Sequence, residues 1–154
     1  MMRPLLAAAA FALTMSASIA QAGEEVRSCE YKIKWRGTSG SAEVTLTDGV
    51  VSKLDIVVFY SGLPGRPGYT CTVNPSRSEK DDTWSDEAGA TVITNNTPFV
   101  STMPDRVKVT VGKHVSIDFA EAQSAGRCGA GAELPRAIVI PARKGACRVF
   151  LDPP

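Results

Sequence analysis

The residues best suited to chemistry in this chain are a lone arginine on a stiffened segment, four cysteines, one histidine and an acidic run. The segment YSGLPGRPGYTC, Tyr60 to Cys71, sets Arg66 between Gly65 and Pro67, with Gly62, Pro64 and Gly68 around it. Each proline fixes φ and removes an amide donor, and each glycine opens backbone angles closed to other residues. A regular strand cannot run through such a segment, so it reads as a loop between a strand ending at Tyr60 and one starting at Tyr69. The prolines also reduce the freedom of the unfolded segment. An arginine on such a loop can bind a carboxylate or phosphate of a partner bidentately, with little entropy left to lose. Arg66 is therefore the candidate partner-binding residue, with Ser61, Gly62 and Tyr69 bounding the loop that presents it. The plainer alternative is a tight surface crossover with a solvated arginine.

The four cysteines, Cys29, Cys71, Cys128 and Cys147, form no close CxxC pair, and His114 is the only histidine. A zinc site needs more nitrogen or sulfur ligands at closer spacing. An even count in an exported chain reads instead as two disulfides. Three pairings are open. Cys29–Cys71 with Cys128–Cys147 is the expected one, because Cys29 and Cys71 both fall on inward strand faces, while Cys128 and Cys147 flank the AIVIP segment as the ends of a local clip. The run EKDDTWSDEAG concentrates Glu79, Asp81, Asp82, Asp86 and Glu87 but lacks the D-x-D-x-D-G spacing of a calcium loop, so a solvated acidic turn is expected there. No metal or cofactor is expected.

The elements that must position these residues read as strands. In CEYKIKWR, Cys29, Tyr31, Ile33 and Trp35 alternate with Glu30, Lys32, Lys34 and Arg36, the pattern of a strand with one buried and one wet face. SAEVTLTDGVVSKLDIVVFY reads as a hairpin. A two-residue Asp48-Gly49 turn would put Ala42, Val44 and Leu46 opposite in facing to Leu54, Ile56, Val58 and Tyr60. A three-residue Thr47-Asp48-Gly49 loop with Gly49 left-handed would align them, pairing Leu46 with Val50 and Ala42 with Leu54. In RVKVTVGKHVSIDF the same requirement predicts a three-residue Gly112-Lys113-His114 loop and puts His114 at a hairpin tip. Further strands are expected at GYTCTV, ATVIT, AIVIP and CRVFL, and FAEAQSAG has room for a helical turn or two. The fold class is mainly β: an antiparallel small barrel or sandwich with two disulfides.

The first 22 residues carry Arg3, an apolar run from Leu5 to Leu13 too short to span a bilayer, and a small-x-small AQA at their end. They read as a signal peptide removed after Ala22, leaving residues 23–154 as one β-rich domain in a periplasmic or secreted protein. No later run is long and apolar enough to cross a membrane. Removing the leader takes away Arg3 alone among the charged residues and leaves acidic and basic side chains equal in number. A nucleic-acid binder should show a basic excess, so nucleic acid is not an expected partner. GxSxG and HExxH are both absent, and a Ser-His-Asp triad would depend on His114 at its hairpin tip. Catalysis is not expected, and an enzyme with dispersed carboxylates ranks last among the readings.

Ser61-Gly62 followed by Tyr69, with Trp84 and Gly89 downstream, resembles the Ser-Gly-x-x-x-x-Tyr region of the bacterial periplasmic and membrane-bound inhibitors of c-type lysozyme. Here the spacings from Ser61 to Tyr69 and from Tyr69 to Trp84 are longer, and CGAGAELPRAIVIPARKGACRV has no counterpart. The resemblance implies a small exported β-barrel with a disulfide, which inserts this loop into the lysozyme cleft and brings Ser61 and Arg66 towards the two catalytic carboxylates. The expected function is a non-catalytic binding module engaging a protein partner, a cell-wall hydrolase such as lysozyme, through the 61–69 loop. The alternative is a structural or interaction protein of the cell envelope. It would use the wet face of Glu30, Lys32, Lys34 and Arg36, or an exposed edge strand.

Overall fold

The computed structural model describes residues 23–62, 65, 67–129 and 132–151. The expected leader, residues 1–22, and Arg66 lie outside the described residues. Ten strands form two antiparallel sheets. One holds β1 (Glu24–Ile33), β2 (Thr38–Thr47), β3 (Val50–Tyr60) and β4 (Tyr69–Val73), in that order. The other runs in the order β10-β9-β8-β7-β6-β5. Its strands are β5 (Asp82–Glu87), β6 (Ala90–Asn95), β7 (Arg106–Val111), β8 (Val115–Glu121), β9 (Ala137–Ile140) and β10 (Arg148–Phe150). Among the described residues a single short α-helix, α1 (Ser124–Cys128), lies against β4. The sheets face each other across one core of mainly branched aliphatic side chains, with Val44, Leu46, Leu54 and Ile56 on one side and Ile93, Val109, Ile117 and Ile138 on the other. The barrel alternative is thereby set aside. β1 meets the other sheet's side of the molecule through one isolated parallel bridge, Glu30 to Ala146, and the hydrogen-bond ladder does not close.

The first hairpin corrects its expected register. Thr47 pairs with Val50 across a two-residue Asp48-Gly49 turn in which both residues have positive φ, 53° and 79°. The facing conflict is resolved by a bulge. Leu46 pairs with Val51, but Thr45 pairs with Lys53, so Ser52 is the extra residue and Val51 and Leu54 both point inward. Ser52 Oγ donates to the Thr45 carbonyl at 3.2 Å. The second hairpin has the expected three-residue loop: Val111 pairs with Val115, Val109 with Ile117, and His114 sits exposed at the tip.

The disulfides are Cys29–Cys147 and Cys71–Cys128, with Cα separations of 5.2 and 4.8 Å. The expected pairing is corrected. Cys29 and Cys71 do both face inward, but β2 and β3 stand between β1 and β4. Cys147 instead reaches β1, where its N–H donates to the Glu30 carbonyl at 2.9 Å, and Cys128 reaches β4 from α1.

The acidic run is also corrected: Asp82–Glu87 is the edge strand β5. Carboxylates along an outer edge discourage pairing with another chain. Trp84, half-buried against the core, is the residue that ties this strand down. Its ring takes the Arg77 guanidinium 5.0 Å from the centroid.

Candidate functional site

Four connections meet at one end of the sandwich. β1 turns into β2 through a 3-10 turn, Lys34–Arg36; β3 turns into β4 through residues 61–68; β6 leads to β7 through 96–105; and β8 leads to β9 through α1 and the segment after it. The Cys71–Cys128 disulfide and the Tyr69–Glu133 hydrogen bonds join this end of one sheet to that of the other. We call it the loop end.

The 61–68 segment is closed at its base by aromatic stacking. Tyr60 pairs with Tyr69 in the ladder, and their ring centroids lie 5.3 Å apart. A Cβ on Gly68 would stand 2.7 Å from the Tyr60 carbonyl oxygen, so only glycine lets the returning strand come this close. Ser61 donates both its N–H and its hydroxyl to the Gly37 carbonyl, at 2.9 and 3.1 Å. The Tyr69 hydroxyl donates to the Glu133 carbonyl at 3.2 Å and accepts the Glu133 N–H at 3.1 Å. Ser61, Gly62 and Tyr69 thus come together at the base of the loop. The polar groups of Ser61 and Tyr69, however, are engaged within the chain.

Sequence reasoning placed Trp35 on the buried face of the first strand, and this is corrected. β1 ends at Ile33, and Gly37, with φ +61°, reverses the chain after the 3-10 turn. Trp35 is 74% exposed, with the Arg36 guanidinium 4.8 Å from its ring centroid. Arg36 stands 4.0 Å from the Glu133 carboxylate. Glycine two residues after the tryptophan was the available signal, since a left-handed residue ends strand alternation.

Across α1, the 96–105 connection is held by buried polar groups that sequence reasoning missed. Asp105, 1% exposed, accepts Arg127 Nε at 2.7 Å and the Gln123 N–H at 3.0 Å on one oxygen, and Asn95 Nδ2 at 2.8 Å on the other. Gln123 Nε2 donates to the carbonyls of Val100, Met103 and Pro104, and Gln123 Oε1 accepts the Val100 N–H. The connection nevertheless turns Phe99, Val100 and Met103 to solvent. Asn95, which matches a glycosylation pattern, spends its amide nitrogen on Asp105. Burial raises the Asp82 carboxyl above its ordinary value; nearby Arg127 opposes that and Asp105 adds to it.

Tyr31, Tyr60 and Tyr69 all point between the sheets at this end. Among the described residues, the buried hydroxyls of Tyr31 and Tyr60 have no hydrogen-bond partner. Burial, and then the neighbouring Tyr69, push the Tyr31 phenol up to about 12.

His114 Nδ1 accepts the Ala142 N–H at 3.3 Å at the opposite end of the sandwich. No group of three or more His, Cys, Asp or Glu suited to a metal ion occurs among the described residues. A groove crosses the outer face of β1–β3 beneath residues 141–146, lined by Glu30, Lys32, Ser41, Glu43, Arg143 and Lys144 among others. No helix among the described residues is long and apolar enough to cross a membrane. Comparison with protein-family models, with characterised proteins and with solved structures finds no match to this chain.

Proposed function

We propose that the protein is an exported, non-catalytic binding module that engages a protein partner with the loop end of its sandwich, the partner class being a cell-wall hydrolase such as a c-type lysozyme. One observation carries the location. Of the eight large hydrophobic side chains exposed among the described residues, six lie at or next to the loop end: Trp35, Phe59, Phe99, Val100, Met103 and Phe150. Val26 and Val50 lie towards the other. Apolar groups gathered at one end of a small domain mark a contact surface more often than chance exposure does, and the connections carrying Trp35, Phe99, Val100 and Met103 are held by internal hydrogen bonds. The partner class rests on the resemblance of Ser61-Gly62…Tyr69 to the lysozyme inhibitors. Export is supported by the form of residues 1–22 and by two disulfides, which suit an oxidising compartment.

The test is calorimetric titration of the oxidised protein against a panel of c-type lysozymes, with lytic activity followed in parallel and Arg66→Ala alongside. Binding that blocks lysis and weakens in the variant is the expected result. No binding to any member removes the partner class. A second reading, an envelope interaction protein using the Glu30 and Lys32 face, is favoured by the groove on that face. Pull-down of an envelope protein that is lost on Lys32→Glu but indifferent to Arg66→Ala would select it.

A further inference from the structure

We propose that Trp35, flanked by Lys34 and Arg36, is the anchor of the loop end and docks a protein partner whose contacted face is acidic and carries an apolar recess. This rests on the reading of the loop end as the binding end, and it names a contact and a partner chemistry that the 61–69 loop does not supply.

The charge along β1 and its turn is graded. Glu24 and Glu25 open the strand, while Lys32, Lys34 and Arg36 close it. Glu25 is matched locally by Arg27, at 2.6 Å. At the loop end the only ion pair of this segment among the described residues is Arg36 with Glu133, at 4.0 Å and largely open to water on the Glu133 side. Lys32 and Lys34 form no ion pair among the described residues; Glu30 on the same strand face and Glu133 offset two of the three cations, so the surface around Trp35 keeps a net positive charge, and an approaching surface is favoured when it is negative.

The ring itself serves no internal packing: at 74% exposed it is the most exposed large hydrophobic side chain among the described residues. Its backbone is nonetheless fixed. The Gly37 N–H closes the turn onto the Lys34 carbonyl at 3.2 Å, and the Gly37 carbonyl receives two hydrogen bonds from Ser61. An indole presented on a fixed turn loses little freedom on binding, and Trp and Arg are the residue types that most often dominate contact energies. Ser61 therefore acts as a positioning residue, tying the Trp35 turn to the end of β3.

The experiment uses three probes: a c-type lysozyme, the acidic–aromatic polypeptide poly(Glu,Tyr), and hyaluronate as an acidic glycan without apolar side chains. The variants are Trp35→Ala and the double substitution Lys34→Glu with Arg36→Glu, each checked for an unchanged unfolding midpoint. We expect lysozyme and poly(Glu,Tyr) to bind, and Trp35→Ala to weaken both by about tenfold or more. The double variant should weaken both and flatten their dependence on salt. If lysozyme fails and poly(Glu,Tyr) binds through Trp35, the partner class falls and this inference stands. If lysozyme binding is lost in Arg66→Ala but stays within about twofold in Trp35→Ala and in the double variant, the function stands and this inference is overturned. Binding of hyaluronate alone, or of none of the probes, also overturns it.

Discussion

The two ends of the sandwich solve the same problem differently. At one end three connections, Asp48-Gly49, Ala88-Gly89 and Gly112-Lys113-His114, are turns of two or three residues, and the longer 141–147 segment folds back along β1 beneath the Cys29–Cys147 bond. At the other, the long connections are tied by side chains: Ser61 to Gly37, Tyr69 to Glu133, Gln123 and Asn95 to the 96–105 segment, Cys71 to Cys128. The short-turn end exposes little large apolar surface, Val26 and Val50 alone among the described residues. The loop end spends a buried ion pair and a disulfide on keeping long segments still, then turns tryptophan, phenylalanine and methionine outward. Rigidity combined with exposure is what a preformed contact surface requires.

Loss of the disulfides should disturb the two ends most strongly, and to different degrees. Replacing Cys71 and Cys128 by alanine should cost about 4 kcal/mol, and replacing Cys29 and Cys147 about 5 kcal/mol, on the chain-entropy scaling for closed loops with sequence separations of 57 and 118. Urea unfolding reads both. The loop end should loosen selectively in the first variant, visible as faster amide exchange in residues 61–73 and 122–129.

Next is Asp105→Ala, which leaves Arg127 buried without its carboxylate. A cost of about 3–5 kcal/mol is expected, with Phe99 and Met103 becoming mobile by NMR. A loss below about 1 kcal/mol would mean that the 96–105 connection stands without this anchor.

Gly68→Ala should cost about 1–3 kcal/mol, because the added carbon meets the Tyr60 carbonyl and the strand must move. Its effect on partner binding should exceed that of any equally destabilising change at Gly49.

The smallest effect is expected at Tyr31. Its folded pKa of about 12 lies above the ordinary value of 10.0. The folded state therefore favours the neutral phenol: this contribution is fully present below pH 10 and is lost as pH rises towards 12. Tyr31→Phe should leave neutral-pH stability within about 1 kcal/mol, because the hydroxyl has no partner to lose, and should flatten that alkaline decline. A decline of unchanged steepness would assign it to another group.

The short-turn end was also the more legible in sequence. Alternation located most strands, and the common facing of Val111 and Val115 predicted the 112–114 loop. The Ser52 bulge escaped because the same facing constraint is met by either a longer turn or an extra residue, and a polar serine in mid-strand signals neither strongly. The acidic β5 escaped because Asp and Glu are poor strand formers, tolerated here at an edge. At the loop end, the glycines and prolines around Ser61, Gly62 and Tyr69 marked the break between β3 and β4. Trp35 was misplaced because alternation continues formally to Arg36, although Gly37 ends the strand. Asp105 could not be found, since its partners Asn95, Gln123 and Arg127 are brought to it only by tertiary packing. The cysteine pairing depended on strand order, which local pattern does not encode.

The Cys29–Cys147 bond and the neighbouring Glu30–Ala146 bridge fasten the opening strand to a segment 118 residues later. A chain that emerges amino end first must therefore carry Cys29 unsatisfied until nearly all of the domain has followed it. Each long-range tie of this kind slows assembly. Cys71 and Cys128 come within reach of each other earlier, so the more local bond has the first opportunity to form, and a thiol catalyst meeting an incomplete chain has a wrong partner for Cys29 at hand in Cys71. Production of this protein in an oxidising compartment should accordingly depend on disulfide isomerisation as well as on oxidation.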